Sequence, residues 1–372
     1  MSMADTDPPF ANRLCALLGI RHPVLLAGMA GGPTTPELVA AVSDAGGLGT
    51  FGLTGMTAEA ASDAVERARA LTPAPIAINV LVAPPTPPDP RGGDPRDALT
   101  ALRRELEVPD DPPPAPPAPP PASAPELAEA GLAAGARALS VGLGAPGAVQ
   151  ELARAAGAVV IVMVSSVEDA LRAVEGGADV VVAQGSEAGG HRSNFDLPEE
   201  GEVPMVGTFA LVPQVVRAVD VPVVAAGGVM DGRGLAAALA LGAEGAQLGT
   251  CFLGAAESGV PESYRRRLRE ARDVDTVITR AVSGRPARAI RNRLIDALEA
   301  AGPPALGWPG QASASADLRA AAAHRDEAEM LALWAGQAAG LSGPSLPAGD
   351  IVREIVAQAS YVLRQLGPPP GV

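Results

Sequence analysis

Short apolar runs recur along the chain, each followed by a turn of small residues and then by a stretch whose apolar positions repeat every three to four residues. The runs are VLLAGM (24–29), LGTFG (48–52), PIAINVLV (75–82), ALSVGLG (138–144), VVIVMVS (159–165), VVVAQGS (180–186), VPVVAAGG (221–228) and GAQLGTCFL (245–253). Several lack polar alternation, the mark of parallel strands covered on both faces. Between them TPELVAAVSDAG (35–46), SVEDALRAVEGG (166–177) and DGRGLAAALALG (231–242) read as helices, and many helices end at a glycine that closes the turn into the next strand. Eight strands alternating with helices predict an α/β fold of the (β/α)8 TIM-barrel type rather than an open doubly wound sheet.

Two segments break this rhythm. Residues 83–125 are dense in proline, which predicts a polyproline-like or disordered insertion after strand three around one short helix at 96–107. Its place after strand three, where barrel loops carry function, is compatible with a lid edge; on composition it reads instead as a solvated insertion without chemistry, so that deleting roughly residues 86–122 should leave folding intact. After strand eight, residues 254–345 read as a mostly helical lid or substrate region, and a final helix at 348–366 returns to close the barrel. The expected organisation is therefore a barrel of residues 1–253 plus 346–372 and a covering region of residues 254–345.

Hydrophobic residues make up 47% of the 372 positions but aromatics only 2%, so the core must be aliphatic. A formal net charge of −14 disfavours nucleic acid and anionic membrane surfaces as partners. The chain contains no lysine, which excludes Schiff-base chemistry and Walker-type phosphate loops. Cys15 and Cys251 form neither a disulfide framework nor a metal-ligand pattern. With no membrane-length apolar run and no signal-like start, the expectation is a soluble cytoplasmic protein. Its oligomeric state is barely constrained, and a homodimer is compatible with it.

In such barrels the active site lies at the carboxyl ends of the strands, with phosphate commonly held after strands seven and eight. Gly227 and Gly228 precede a helix, and Gly249 with Thr250 offers an amide and a hydroxyl opposite. Two converging glycine-rich ends point to a phosphate site built from backbone amides and a helix N-terminus. Strand six runs into QGSEAGGH, a glycine-rich loop that carries His191, one of three histidines. An imidazole there suits a general base near neutrality. His22 at the barrel bottom and His324 in an Ala-rich helix read as structural, Cys251 as core, and Glu187 as an exposed loop carboxylate. Arg192 is a candidate for offsetting the acidic field near an anionic substrate.

The stretches HPVLLAGMAGG, AINVLV, VVAQGSEAGGHRS, PVVAAGGVMDGRGLAAALALGAEGAQLGTCFL and TVITRAVSGRPARAIRN resemble the nitronate monooxygenase family, formerly called 2-nitropropane dioxygenases, which are FMN-dependent TIM barrels. The likeness spans nearly the whole chain except the Pro-rich insertion; the LLAGM of strand one departs from relatives that carry a proline before the methionine. The resemblance implies that the backbone of Gly28, Met29 and Ala30 runs along the flavin ring. It implies that Asn79 and Gln184 reach the ring or ribityl edge, and that Gly189 and Gly190 allow close approach. Gly227, Gly228, Gln247, Leu248, Gly249 and Thr250 would cradle the phosphate, and LWAGQAAGL (333–341) would cover the flavin. It implies FMN as cofactor, with a small nitronate or similar substrate and molecular oxygen as the other reactants. His191 would take the α-proton of a nitroalkane. Two alternatives stand beside this: a related FMN-dependent enoyl-ACP reductase using NAD(P)H, and a non-catalytic flavin-binding barrel.

Overall fold

The computed structural model describes residues 10–86, 92, 95–108, 121–198, 203–304 and 306–366. Eight parallel strands are present: β1 (Val24–Leu26), β2 (Gly49–Gly52), β3 (Ile76–Leu81), β4 (Ala138–Gly142), β5 (Val159–Val164), β6 (Val180–Gln184), β8 (Val223–Ala226) and β9 (Gly245–Leu248), with β7 (Gly190–His191) lying outside this sheet. Their order is β1-β9-β8-β6-β5-β4-β3-β2, and a parallel bridge from Leu25 to Leu48 joins the two ends into a barrel. All eight predicted strands are found. The last is shorter than its apolar run, because the chain turns at Gly249 and Thr250–Leu253 forms one helical turn.

Alternation along each strand sorts the core into two shells. Leu25, Val180, Val182, Val224 and Ala226 point into the barrel, where Leu14, Cys15 and Leu18 of the helix Arg13–Leu18 pack against the same interior cluster. Their neighbours Val24, Leu26, Val181, Ala183, Val223 and Ala225 face outward against the helices. The long helix Ala348–Leu366 packs on both Gly232–Ala240 and Pro36–Asp44, taking the place that the one-turn helix after β9 leaves vacant. Gln358 accepts a hydrogen bond from the Gly232 amide at 2.7 Å and fixes this packing.

The region after the barrel is less uniformly helical than its composition predicts. Helices Glu262–Glu270, Arg293–Ala300 and Ala316–His324 flank a hairpin of β10 (Thr276–Thr279) and β11 (Ala287–Ile290). Strand β11 also pairs antiparallel with β7, His191 opposite Ala287 and Gly190 opposite Arg288, so a three-stranded sheet docks onto the loop after β6. The histidine loop is thus held as a strand and is not the flexible loop its glycines suggest.

The Pro-rich insertion also departs from expectation. Residues 87–91, 93–94 and 109–120 lie outside the described residues, but Pro95–Glu105 forms the predicted helix. Its Leu99 and Leu102, with Leu106 just beyond, join Leu294, Leu298 and Leu318 in a second hydrophobic core. Arg103, 6% exposed, reaches Asp317 with Nε to Oδ2 at 2.9 Å and donates from Nη2 to the Ala314 carbonyl at 2.7 Å. The helix is therefore part of the core of the covering region and is not a solvated loop. The helix was expected; its packing was not, because the surrounding proline content drew attention away from leucines that recur at every third or fourth position.

This packing generates a stability prediction. Leu99→Ala should lower the free energy of unfolding by about 3 kcal/mol, as expected for a fully buried leucine, whereas Leu171→Ala, at a side chain 51% exposed, should change it by less than about 0.5 kcal/mol. Urea midpoints of the two variants check this, and equal midpoints would return the insertion to the status of a solvated loop.

Candidate active site

The carboxyl ends of the barrel strands and the inner face of the covering region enclose a cavity of about 1060 Å³. Gly28, Met29 and Ala30 after β1, Asn79 on β3, Gln184 on β6 and Gln247 on β9 line it, as do Gly189, Gly190, His191, Gly227, Gly228, Gly249 and Thr250. Of the residues expected to hold the cofactor, Leu248 is elsewhere: its side chain is in the outer core and its carbonyl accepts from the Ala27 amide at 2.9 Å. Alternation places it there, because Gln247 and Leu248 are neighbours on one strand and must face opposite sides.

His191 is held from three directions. Its backbone pairs with Ala287, and its carbonyl accepts from Gln184 Nε2 at 2.9 Å. Its Nε2 lies 2.9 Å from Ser283 Oγ, and its ring meets Trp308 edge-on at 5.1 Å and Trp334 at a tilt of 44° and 5.4 Å. Burial, and secondarily the positive charge of Arg285, push its pKa down to about 4. The ring is therefore a neutral, proton-accepting imidazole throughout the neutral range.

The two glycines before it have separate reasons. Gly190 has φ +75 and open space where a Cβ would stand. At Gly189 a Cβ would lie 2.6 Å from the backbone of Ala335 and Gly336, so this glycine admits the covering segment 333–341. That segment closes over the site, with the Gly336 amide donating to Thr250 Oγ1 at 3.0 Å and the Gln337 amide to the Glu187 carbonyl at 2.9 Å.

A phosphate group fits the cradle, though not through the helix N-terminus expected from sequence. Asp231 caps the helix Gly232–Ala240 by accepting from the amides of Arg233 and Gly234, while Gly232 donates to Gln358. Its first turn has no donors left over. Among the described residues, the amides of Gly228, Val229 and Gly249 find no protein acceptor, and all three residues line the cavity. Unpaired amides converging on a cavity suit an anion. Thr250 Oγ1 already accepts from Gly336, which leaves its hydroxyl proton free to donate.

Three other side chains behave differently from the sequence reading. Gln184 lines the cavity but spends its amide on the loop, Nε2 to His191 O and Oε1 accepting from the Ser193 amide at 2.9 Å. Arg192, fully buried, turns away from the cavity and donates from Nη1 to the carbonyls of Gln184 at 3.0 Å and Gly185 at 2.6 Å. Glu187 is no free loop carboxylate: it accepts from the amide and hydroxyl of Thr208 and so caps the helix Thr208–Ala218. Asn79 donates Nδ2 to Ser140 Oγ at 3.0 Å and keeps Oδ1 at the cavity wall.

Sequence reasoning missed Ser283, Trp308, Tyr264 and Arg319, which all line the cavity, and named Trp334 only as part of the covering segment 333–341; His324, read as structural, lines it as well. One signal was available: the chain has only two tryptophans, and both stand against His191. Among the described residues no aspartate or glutamate lines the cavity, and the arginine that does, Arg319, donates to Ser315 Oγ at 3.2 Å and the Ala312 carbonyl at 2.7 Å.

Residues 11–358 match the model of the nitronate monooxygenase family. Proteins described as probable nitronate monooxygenases from Staphylococcus saprophyticus and Staphylococcus aureus strain Newman are each 36% identical to this chain, over 95% of it and over 99% and 98% of their own lengths. Among solved structures, the nitroalkane oxidase of Streptomyces ansochromogenes is 34% identical with a TM-score of 0.82, covering 95% of this chain and 99% of its own. FabK of Thermotoga maritima is 31% identical with a TM-score of 0.75, covering 96% of this chain and 98% of its own. With a flavoenzyme-type cavity at the mouth of its barrel and these likenesses over nearly its full length, the chain belongs to the nitronate monooxygenase family.

Proposed function

We propose that the protein oxidises alkyl nitronates with molecular oxygen on a bound FMN, and accepts neutral nitroalkanes because His191 deprotonates them. The observation that carries this reading is a neutral imidazole, held in fixed orientation at the wall of a cavity that no carboxylate lines among the described residues. A neutral base can take a carbon-bound proton, and a wall without acids does not repel the nitronate anion that results. Arg319, the one arginine among the described lining residues, favours the same charge.

The chain's contribution divides into binding, orientation and proton transfer. The amides of Gly228, Val229 and Gly249 and the hydroxyl of Thr250 hold the cofactor phosphate, while the backbone of Gly28–Ala30 and Asn79 Oδ1 meet the flavin. When bound, FMN supplies the redox chemistry that links nitronate to oxygen. His191 accepts the α-proton at its free ring nitrogen, and the electron pair stays on the substrate as nitronate. The region 254–345, with Trp308 and Trp334, acts as the cover that keeps water from the reacting atoms. A second reading draws support from the cavity's size, slightly above the usual 300–1,000 Å³ of small-molecule sites: an NAD(P)H-dependent reductase would need room for a second large ligand. Anaerobic mixing with NADPH separates the two, since rapid bleaching of the flavin marks the reductase.

Three outcomes follow from this reading. Heat-released cofactor should run as FMN on chromatography, because the described residues of the barrel offer one phosphate cradle and no second dinucleotide turn; FAD would contradict it. His191→Asn should lose roughly 10²–10⁴-fold in activity on neutral nitroalkanes, yet keep its flavin and its activity on pre-formed nitronates. Equal loss on both substrates would remove His191 from the proton-transfer step. The pH profile has a definite sign: a base works unprotonated, and a pKa of about 4 keeps His191 unprotonated well below its ordinary 6.5. The kcat/KM for a neutral nitroalkane should therefore run level through pH 6.5 and fall only toward pH 4, and an acid limb centred on 6.5 would show that the site does not depress this pKa.

A further inference from the structure

We infer that Ser283 is the positioning residue that fixes the tautomer of His191, keeping the proton on Nε2 so that Nδ1 is the base. The inference rests on the base reading of His191 and adds the group that decides which nitrogen does the work.

The argument is a count of protons. Ser283 Oγ stands 2.9 Å from His191 Nε2, 3.2 Å from the Arg285 carbonyl oxygen and 3.4 Å from the Arg285 amide. The hydroxyl has one proton to give and two lone pairs with which to accept. Arg285 is 2% exposed, and among the described residues its carbonyl finds no other donor. Leaving a buried carbonyl unpaired costs about 1–3 kcal/mol, more than the net value of one ordinary hydrogen bond. The serine proton therefore goes to the Arg285 carbonyl, and Oγ accepts from the Arg285 amide and from the imidazole. An acceptor at 2.9 Å requires Nε2 to carry hydrogen, and the neutral ring then leaves Nδ1 as its lone-pair nitrogen.

The surroundings hold this arrangement in place. Ser283 is 3% exposed and sits in the turn between β10 and β11, the hairpin that also carries Ala287, the backbone partner of His191. One hairpin thus fixes both the main chain and the ring of the histidine. Trp308 and Trp334 stand against the ring and oppose its rotation. Among the described residues Nδ1 has no protein partner, and it is not among the buried nitrogens left unpaired, so it opens to the cavity that His191 lines. When the α-proton of a nitroalkane moves to Nδ1, the pair from the C–H bond remains on the substrate as nitronate. Nε2 keeps its proton on Ser283 Oγ, and the new imidazolium has its second N–H already satisfied.

The test begins with the intact holoenzyme labelled with 15N-histidine. Only three histidines contribute ring signals, and His191→Asn identifies the relevant one by its disappearance. At pH 7 the His191 ring should show the Nε2–H tautomer; an Nδ1–H ring would overturn the proposal whatever the kinetics. Ser283→Ala should lower kcat/KM for a neutral nitroalkane roughly 10- to 100-fold, the range for removing the group that orients a functional imidazole. It should also raise the primary isotope effect with α-deuterated substrate, because proton abstraction becomes slower relative to other steps. Activity on pre-formed nitronate should stay near wild type, and Ser283→Thr, which keeps the hydroxyl, should recover most of the loss. An alanine variant with wild-type rate and isotope effect would overturn the assignment; if that variant loses flavin, the wild-type ring spectrum decides alone. Failure of the base reading looks different: His191→Asn then loses both substrates equally while the tautomer is as stated.

Discussion

Gly190 and His191 pair through their backbone with Arg288 and Ala287, and this short ladder joins the sixth barrel strand to the covering region. Two residues of strand cannot hold themselves. Gln184, at the end of β6, folds the loop back by bonding His191 O and the Ser193 amide, and Arg192 runs beneath it to the carbonyls of Gln184 and Gly185. The same lock places positive charge behind the histidine. Arg192, Arg285 and Arg288 are all buried, and burial together with neighbouring arginines holds the Arg192 and Arg285 guanidinium pKa values below their usual range. The low basicity of His191 thus comes first from its burial and second from Arg285, which the same scaffold holds nearby.

The barrel was legible in the sequence because parallel strands buried on both faces leave runs such as VVVAQ and VVAA that no amphipathic helix would produce. The mouth of the barrel was legible for the same reason: where those runs end in glycine, the chain must turn, and the turns face one cavity. What pattern could not show is anything made by pairing distant segments. The ladder between β7 and β11 joins residues nearly a hundred positions apart, and GGH by itself looks like loop. Asp231 was readable as a helix cap, yet its consequence, that the helix N-terminus is already occupied, appears only when the amides are counted. Leu248 illustrates a simpler slip: a motif matched as a block ignores that adjacent strand residues face opposite ways.

Net charge illustrates how a global quantity misleads about a local one. With −14 overall the chain looks hostile to an anion. Many of its described carboxylates, however, serve in caps or in ion pairs of the outer shell, such as Glu105 with Arg293 and Asp350 with Arg353. Exposed pairs of this kind contribute little to stability. Asp317, two residues from Arg319, is turned to Arg103 instead. Solvent screens the outer acids over a Debye length of about 8 Å, while the field inside the cavity is set by its own lining.

Both tryptophans of the chain lie within 5.4 Å of the His191 ring, measured between ring centroids. All indole fluorescence of this protein therefore originates at the wall of one cavity. Flavins absorb where indoles emit, so a flavin in the cavity would quench that light by energy transfer, and a ligand that displaces the cover would change its colour and polarisation. The molecule carries a built-in optical probe of the place where its chemistry would happen, with no background from the rest of the fold.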